Sequence, residues 1–354
     1  MMRTSCLVCS DQSVHDVLDL GMHPYADTFI GQHQLDQSEP VFPLEVQMCS
    51  TCGHLQNKYV TNPDDRYTKY DYSYTSANSS YSKDHWDEFS QTTHERCGLG
   101  DSSFVIEIGS NDGYLGSKYQ DLGHSFVGVD PSPIMAKLAR ERGVSTELGL
   151  FSNDISSKVV AKMGRRPDLI VANNVLNHAD DISTFMRDIF ELLHEDGVLV
   201  MEVPYWTDDL LSGVFSKIYH EHVHYFSASS LSALLKASGF HANCIQRIDY
   251  HGGSLRVFAT KKPKAPIIET KPLIEFLEAE LSLGILNKDT YQAFMEGIIS
   301  RRNNALEKVY RIKKAGGRIA AIGAAARGNT ILNFYNLDRS VVDFVTDVSP
   351  LKIG

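Results

Sequence analysis

Residues 104–131, FVIEIGSNDGYLGSKYQDLGHSFVGVDP, constrain this chain more than any other stretch. Phe104-Val105-Ile106 is an apolar run of buried-strand type, and Phe126-Val127-Gly128-Val129 is a second. Between them lie a turn holding Glu107, Gly109, Ser110, Asn111, Asp112 and Gly113, and a short amphipathic helix. This is a βαβ unit with glycines where strand meets helix and a carboxylate, Asp130, at the tip of the second strand. Glycine lets backbone approach a ligand closely, and a carboxylate at that tip can accept hydrogen bonds from both hydroxyls of a ribose. The arrangement suits an adenosine-bearing ligand.

A dinucleotide fingerprint would read Gly-x-Gly-x-x-Gly. Here the spacing is Glu107-x-Gly109-x-x-x-Gly113, with polar Asn111 and Asp112 between the glycines. It resembles the first motif of class I methyltransferases that use S-adenosylmethionine (SAM), in which the acidic side of the loop faces the cationic methionine portion. The alternation continues downstream. Residues 133–142 have helical pattern, 148–151 are expected as loop, 167–171 as strand, and Val198–Val203 as another strand after an amphipathic helix. Alternating strands and helices predict an α/β, mostly parallel, doubly wound sheet with ligands at the strand C-terminal ends. Asn173, Asn174 and His178 fall at one such end, where His178 is either functional or a plain loop histidine.

Four of the six cysteines pair by spacing: Cys6-x-x-Cys9 and, forty residues on, Cys49-x-x-Cys52. Two such knuckles present four thiolates tetrahedrally to zinc, and a closed four-sulfur shell is structural because it leaves no open position. His54, just beyond, is expected to be a bystander. The formal net charge of −10, with both signs interspersed, argues against broad phosphate-backbone binding to nucleic acid. No signal-peptide pattern opens the chain and no apolar run approaches membrane-spanning length. The expectation is a cytoplasmic protein with no membrane or nucleic-acid partner, a monomer or weak homo-oligomer.

Tyr67, Tyr70, Tyr72, Tyr74 and Tyr81 crowd the polar stretch that follows the knuckles. They either pack the small module against the next domain or line a pocket, where phenols combine ring surface with a polar tip. Ser79 or Ser80 is the expected cap of a helix carrying His85 and Trp86. The densest chemistry is Tyr219-His220-Glu221-His222-Val223-His224. Strand spacing would put His220, His222 and His224 on one face, as in a metal site. Alternatively, one ring oriented by the neighbouring carboxylate serves as a general base near neutral pH, or the run is a histidine-rich surface edge.

These motifs occur in a fixed order: CxxC…CxxC, Tyr72-x-Tyr74-x-Ser76, Glu107-x-Gly109-x-x-x-Gly113, Asn174-x-x-x-His178, Tyr219-His220-Glu221-His222, and His251-Gly252-Gly253-Ser254-x-Arg256. Together they resemble the SAM-dependent sugar C-methyltransferases, which methylate C-3 of nucleotide-linked 4-keto-deoxysugars, over nearly the whole chain. The resemblance implies Glu221 and His222 as the two general-base candidates, of which His222, oriented by Glu221, is expected to be the base, with Tyr74 (or Tyr72) and His178 completing the catalytic set. It implies SAM on Glu107, Gly109, Asn111, Asp112, Gly113, Asp130, Asn173 and Asn174. A dTDP- or GDP-linked keto-sugar would meet Tyr219, Ser254, Arg256, Arg327 and Asn329, the last two at a second strand–glycine–helix junction, 317–330, able to cradle a diphosphate. Expected boundaries are a zinc module at 1–65, a helical linker contributing to the active site at 66–100, a SAM domain at 101–245, and a C-terminal nucleotide-sugar domain at 246–354. The last is expected to be partial, because the chain stops at Gly354 soon after the strand near 341–345 and an incomplete sheet exposes an edge. Two other readings compete: an O- or N-methyltransferase, and a zinc-ribbon RNA-binding protein.

Overall fold

A computed structural model describes residues 2–26, 36–62, 75–263, 270–347 and 352, without the side chains of 270 and 271. Tyr67, Tyr70, Tyr72 and Tyr74 lie outside the described residues. The centre is a seven-stranded sheet. In chain order its strands are β4 (Phe104–Ile108), β5 (Ser125–Asp130), β6 (Thr146–Leu148), β7 (Leu169–Asn173), β8 (Val198–Pro204), β10 (His241–Ile248) and β11 (Ser254–Thr260). The spatial order is β10-β11-β8-β7-β4-β5-β6. The five strands β4 to β8 run parallel, and the β10–β11 hairpin adds antiparallel to β8. The continuous apolar runs in the sequence are these strands, buried on both faces as a helix-covered parallel sheet requires. Leu148, expected in a loop, ends the short edge strand β6.

One face carries helix α1 (Ser80–Cys97), which buries Trp86 and Phe89. Its N-cap is Ser79, as expected, accepting from the Ser82 amide at 3.1 Å. The other face carries α5 (Ile182–Leu192) and α7 (Ala228–Ala237), whose buried Ile182, Met186, Ile189, Leu231 and Leu234 continue into Cys6, Cys49 and Cys52. The cysteine module is therefore built onto the main core. Its sheet has the order β1-β2-β3-β9, from Val14–His23, Phe42–Cys49, Leu55–Asn57 and His224–Tyr225. The fourth strand comes from the histidine-rich segment more than 160 residues downstream. Helix α8 (Thr270–Leu283) is tied to the centre by Glu280, which is fully buried. Its carboxylate accepts from the Ala228 and Ser229 amides at 2.7 and 2.9 Å, capping α7. The junction expected at 317–330 is present as β12 (Ala320–Ile322), α10 (Ala326–Tyr335) and β13 (Phe344–Thr346), with β12 and β13 parallel. This two-stranded sheet is exposed, with Ile322 at 93%.

The hairpin corrects two expectations. The strand β11 belongs to the central sheet, so a boundary at 245–246 falls inside the β10–β11 pair. Arg256 is also not placed to bind a phosphate. It stands directly opposite Glu202 on β8 and is 1% exposed. Its Nε donates to Glu202 Oε1 at 2.7 Å and its Nη2 to Glu88 Oε2 at 2.8 Å, with the guanidinium over the Phe89 ring. His85 Nε2 meets the other Glu202 oxygen at 2.8 Å and stacks on Tyr250 at 3.7 Å. A guanidinium so desolvated and so fully engaged cannot be lent to a ligand without stranding Glu202. Ser254 is equally enclosed, its hydroxyl donating to the Tyr250 carbonyl at 3.0 Å. The network clamps α1 to the neighbouring strands β11 and β8. Arg256→Leu leaves the buried Glu202 carboxylate with His85 alone and is expected to cost about 3 kcal/mol of stability by chemical denaturation. A rise in substrate KM at unchanged stability would instead assign the guanidinium to a ligand.

Candidate functional site

Four thiols converge where the module meets the core. Cys6, Cys9, Cys49 and Cys52 place their sulfurs within 4.8 Å of one another. Cys6 and Cys52 are 3.7 Å apart and Cys9 and Cys49 3.6 Å. A tetrahedral shell with Zn–S bonds of ~2.3 Å needs S···S separations of about 3.8 Å, so the set fits zinc. The crowding is electrostatically lopsided. Thiol hydrogen bonds from Cys52 and Cys6 hold Cys49 down as a thiolate, while the Cys49 contact pushes Cys6 up to about 12 and Cys52 upward too. A divalent cation is what lets all four ionise together. His54 stands outside the four-sulfur set, as expected, and has a structural partner of its own. Fully buried, its Nε2 meets His224 Nδ1 at 2.9 Å, tying the knuckle to the histidine-rich segment.

The glycine loop sits at the C-terminal end of β4. Gly109 and Gly113 both have φ 73°. A Cβ on Gly109 would lie 2.5 Å from Val175, so only glycine lets the loop pass there. Asp130 Oδ2 accepts from the Asn111 amide at 2.8 Å and Oδ1 from the Ser132 amide at 2.9 Å. Each oxygen keeps lone-pair capacity for a ribose hydroxyl. Burial pushes this carboxyl up, against those amide bonds. Asn111 and Asp112 serve the preceding segment: Asn111 Oδ1 accepts the Ser76 amide at 2.8 Å, and Asp112 takes the Ser76 hydroxyl at 2.6 Å and Arg142 at 3.4 Å.

Glu107 Oε2, Asn173 Nδ2 and the Ser110 hydroxyl, all at this end of the strands, lack a partner among the described residues. Burial, then the neighbouring Asp112 and Asp130 carboxylates, push Glu107 well above the usual range. A buried carboxylate with no cation is costly. A cationic amino-acid ligand would relieve it and occupy the orphaned amide, so these residues fit SAM. Asn173 Oδ1 accepts the Glu202 amide at 2.9 Å, and Asn174, at φ 55°, donates its own amide to Glu202 O at 2.7 Å.

Just beyond, a single-turn helix, Leu176–His178, brings His178 against His222, with ring centroids 4.9 Å apart. The His222 ring is fixed at both nitrogens. Nδ1 lies 2.9 Å from the Lys217 carbonyl, which can only accept, so Nδ1 carries the proton. Nε2 is then the lone-pair nitrogen, accepting from the Tyr219 hydroxyl at 2.6 Å. His178 Nδ1 likewise donates to the Glu221 carbonyl at 2.7 Å. Burial, then His178, pushes His222 well below the ordinary histidine value.

The expected orienting role of Glu221 is therefore corrected. Its Oε1 accepts from the Ala26 amide at 3.0 Å, and neither nitrogen of His222 faces it. The three alternate histidines also diverge. His220 meets the Pro43 carbonyl between the Tyr25 and Phe42 rings, and His224 lies between His54 and the Ala179 carbonyl. They form no metal site. The Lys217 carbonyl, which sets the tautomer, carried no signal in the sequence.

Arg327 and Asn329 open helix α10, which packs over this segment. Arg327, exposed, donates to Ser216 Oγ at 3.2 Å, Thr330 to the Ile218 carbonyl at 3.2 Å, and Asn329 reaches the Tyr25 carbonyl at 3.5 Å. Lys217 pairs with buried Asp209 at 2.8 Å, and burial pushes that carboxyl up to about 6. Among the described residues, no helix is long and apolar enough to cross a membrane.

Three family models match in series: "Putative zinc binding domain" at 6–67, "Methyltransferase domain" at 84–244 and "C-methyltransferase C-terminal domain" at 249–354. The chain is 31% identical to C-methyltransferase NovU of Streptomyces niveus over 99% of this chain and 82% of that protein. A ubiquinone biosynthesis O-methyltransferase of Azorhizobium caulinodans is 25% identical over 27% of this chain and 38% of its own length. Magnesium protoporphyrin IX methyltransferase of Synechocystis, solved with bound SAH, aligns at TM-score 0.40 and 14% identity over 51% of this chain and 83% of that one. The 31% identity to NovU over nearly the whole of this chain, a fitting four-cysteine site and a glycine loop with an uncompensated carboxylate converge: this chain belongs to the SAM-dependent C-methyltransferase family whose members carry an N-terminal zinc-binding domain.

Proposed function

We propose that this enzyme removes the C-3 proton of a nucleotide-linked 4-keto-deoxysugar and that the carbanion so formed is the acceptor of the methyl group. The observation that carries the reading is the fixed tautomer of His222, with its lone pair on Nε2 beside a tyrosine hydroxyl. A ketone at C-4 acidifies the C-3 hydrogen. The proton passes to Nε2 and the electron pair moves onto the C-4 oxygen as an enolate. For this the Tyr219 hydroxyl must first leave the Nε2 lone pair, and on turning away it can donate to the C-4 oxygen and so to the enolate. His178, one ring contact away, adds a second polar edge to that space. Tyr74, the remaining member by resemblance, lies outside the described residues.

SAM, when bound, supplies the electrophilic methyl group. Glu107 and Asn173 would meet its charged portion, Asp130 its ribose, and Gly109, Asn111, Gly113 and Asn174 would shape the backbone around it. Asp112, turned toward Ser76 and Arg142, would act by holding the loop. The sugar diphosphate, of dTDP or GDP type, would lie against Arg327, Asn329 and the first-turn amides of α10, directly above the segment that holds the base. Domain-wise, residues 1–65 and 66–100 would frame the pocket, 101–260, with the β10–β11 hairpin included, hold the cofactor, and the chain from 261 to 354 hold the nucleotide. That geometry lets positioning of two bound substrates supply much of the rate.

Proton exchange tests the reading without the natural sugar. In heavy water with S-adenosylhomocysteine bound, NMR of dTDP- and GDP-linked 4-keto-6-deoxysugars is expected to show enzyme-dependent loss of the C-3 proton. His222→Asn should slow it about 100- to 10,000-fold with cofactor binding intact. Absence of exchange on every sugar, with the cofactor site filled, would move the chemistry to O- or N-methyl transfer.

The pH dependence has a fixed sign. Burial and His178 disfavour the imidazolium, so His222 stays a free base as pH falls through the ordinary histidine value of about 6.5. The acidic limb of kcat should therefore lie below that value. A limb above it would exclude His222 as the titrating base.

A further inference from the structure

Asn57 ends β3, five residues past the second knuckle, and is 2% exposed. No motif marks it. Its Nδ2 donates to the carbonyl of Tyr219 at 3.0 Å and to that of His222 at 2.9 Å. Those carbonyls belong to the two residues whose side chains form the 2.6 Å hydroxyl–imidazole pair. The amide cannot be reversed, because two carbonyl oxygens need a donor and only the NH₂ edge supplies one. Its Oδ1 in turn accepts from the Tyr225 hydroxyl at 2.9 Å, and its backbone amide donates to the Val223 carbonyl at 2.9 Å. Side chain and backbone together thus satisfy the turn from Tyr219 to Val223.

The same strand is anchored on the metal side. The Cys49 amide donates to the His54 carbonyl at 2.9 Å, and the His54 ring is bonded to His224. From a zinc ligand to the base the path is Cys49, His54, Leu55, Gln56, Asn57 and the Tyr219–His222 turn. The turn's own bond, from the His222 amide to the Tyr219 carbonyl, is 3.1 Å, and the Val223 amide donates to the Asn177 carbonyl at 2.6 Å; Asn57 adds the donors that hold the Tyr219 and His222 carbonyls from the module side.

We infer that Asn57 is the positioning residue for His222: by holding the Tyr219 and His222 carbonyls it keeps Nδ1 on Lys217 O and the lone pair on Nε2, and it makes the zinc module part of the catalytic apparatus. The catalytic consequence rests on His222 being the base; the positioning does not.

The test uses full-length, zinc-loaded enzyme with ¹⁵N-labelled histidine. Two-bond ¹⁵N–¹H correlation reports each ring's tautomer, and His222→Asn identifies the His222 signals. Wild type should show one Nδ1–H form. Asn57→Asp keeps the size but turns two donors into acceptors facing carbonyls. It should give mixed tautomers and, by misplacement of the reacting group, about 100-fold lower kcat with KM for SAM little changed. Tyr225→Phe removes the hydroxyl that orients the amide and leaves the core volume nearly unchanged. It should shift the tautomer in the same direction and supplies the readout if Asn57→Asp fails to fold. A single Nδ1–H form in the folded variants at wild-type zinc content would overturn the inference. Mixed tautomers with undiminished turnover would uphold the positioning and remove His222 from the role of base.

Discussion

The structure hangs on a short antiparallel pairing, Leu55 with Tyr225 and Gln56 with His224. Two residues of β3 and two of β9 close a loop of some 170 residues, and a pairing this small does not offset the entropy of bringing such distant segments together. The offset comes from either side. On one, the four sulfurs join the knuckles Cys6-x-x-Cys9 and Cys49-x-x-Cys52 at a site that fits zinc, and metal binding free energy is folding free energy in small modules, about 10–16 kcal/mol in zinc-finger peptides. On the other, Leu55 and Tyr225 bury in a core shared with Trp206, Tyr291 and Phe294, so the module's apolar face is completed by helices from the far end of the chain. The zinc module shares both its sheet and its core with the segment that holds His222.

Buried carboxylates show where a ligand belongs. Glu202 has Arg256 and His85; Asp209 has Lys217; Glu280, without a cation, has two helix amides and the hydroxyls of Tyr205, Thr207 and Ser229. Each desolvation is compensated within the chain. Glu107 is enclosed to the same degree, yet Oε2 finds no donor among the described residues and two more carboxylates face it. An uncompensated carboxylate beside the glycine loop fits a cation brought from outside, such as the cationic portion of SAM.

Much of this was legible in sequence because it is local. Cys-x-x-Cys spacing, the apolar strands, the Ser79 cap and the glycine loop each depend on residues a few positions apart. What failed depended on partners far along the chain. The motif arginine, Arg256, looks like a phosphate ligand until β11 is seen to lie beside β8 and put it opposite Glu202. Asn57 reads as one polar residue in a three-residue strand, and its meaning appears only when residues 219–225 fold against it. Tyr81 was grouped with the other tyrosines, but its hydroxyl donates to the Asp249 carbonyl and its ring lies 5.7 Å from Tyr250, so it packs α1 on the hairpin.

Glu221 and His222 are instructive because adjacency in sequence suggested a carboxylate–imidazole pair. Successive side chains in a turn or strand diverge, and here one faces Ala26 while the other faces Tyr219. The difference matters chemically. A carboxylate at Nδ1 would favour the imidazolium and raise the ring's pKa. A backbone carbonyl fixes the same tautomer with only a dipole, so burial prevails and the ring stays neutral. On the proposed chemistry His222 would be a base whose lone pair is present across the neutral range and directed by geometry, less basic than with a carboxylate at Nδ1, which would suffice for a carbon acid activated by its own carbonyl.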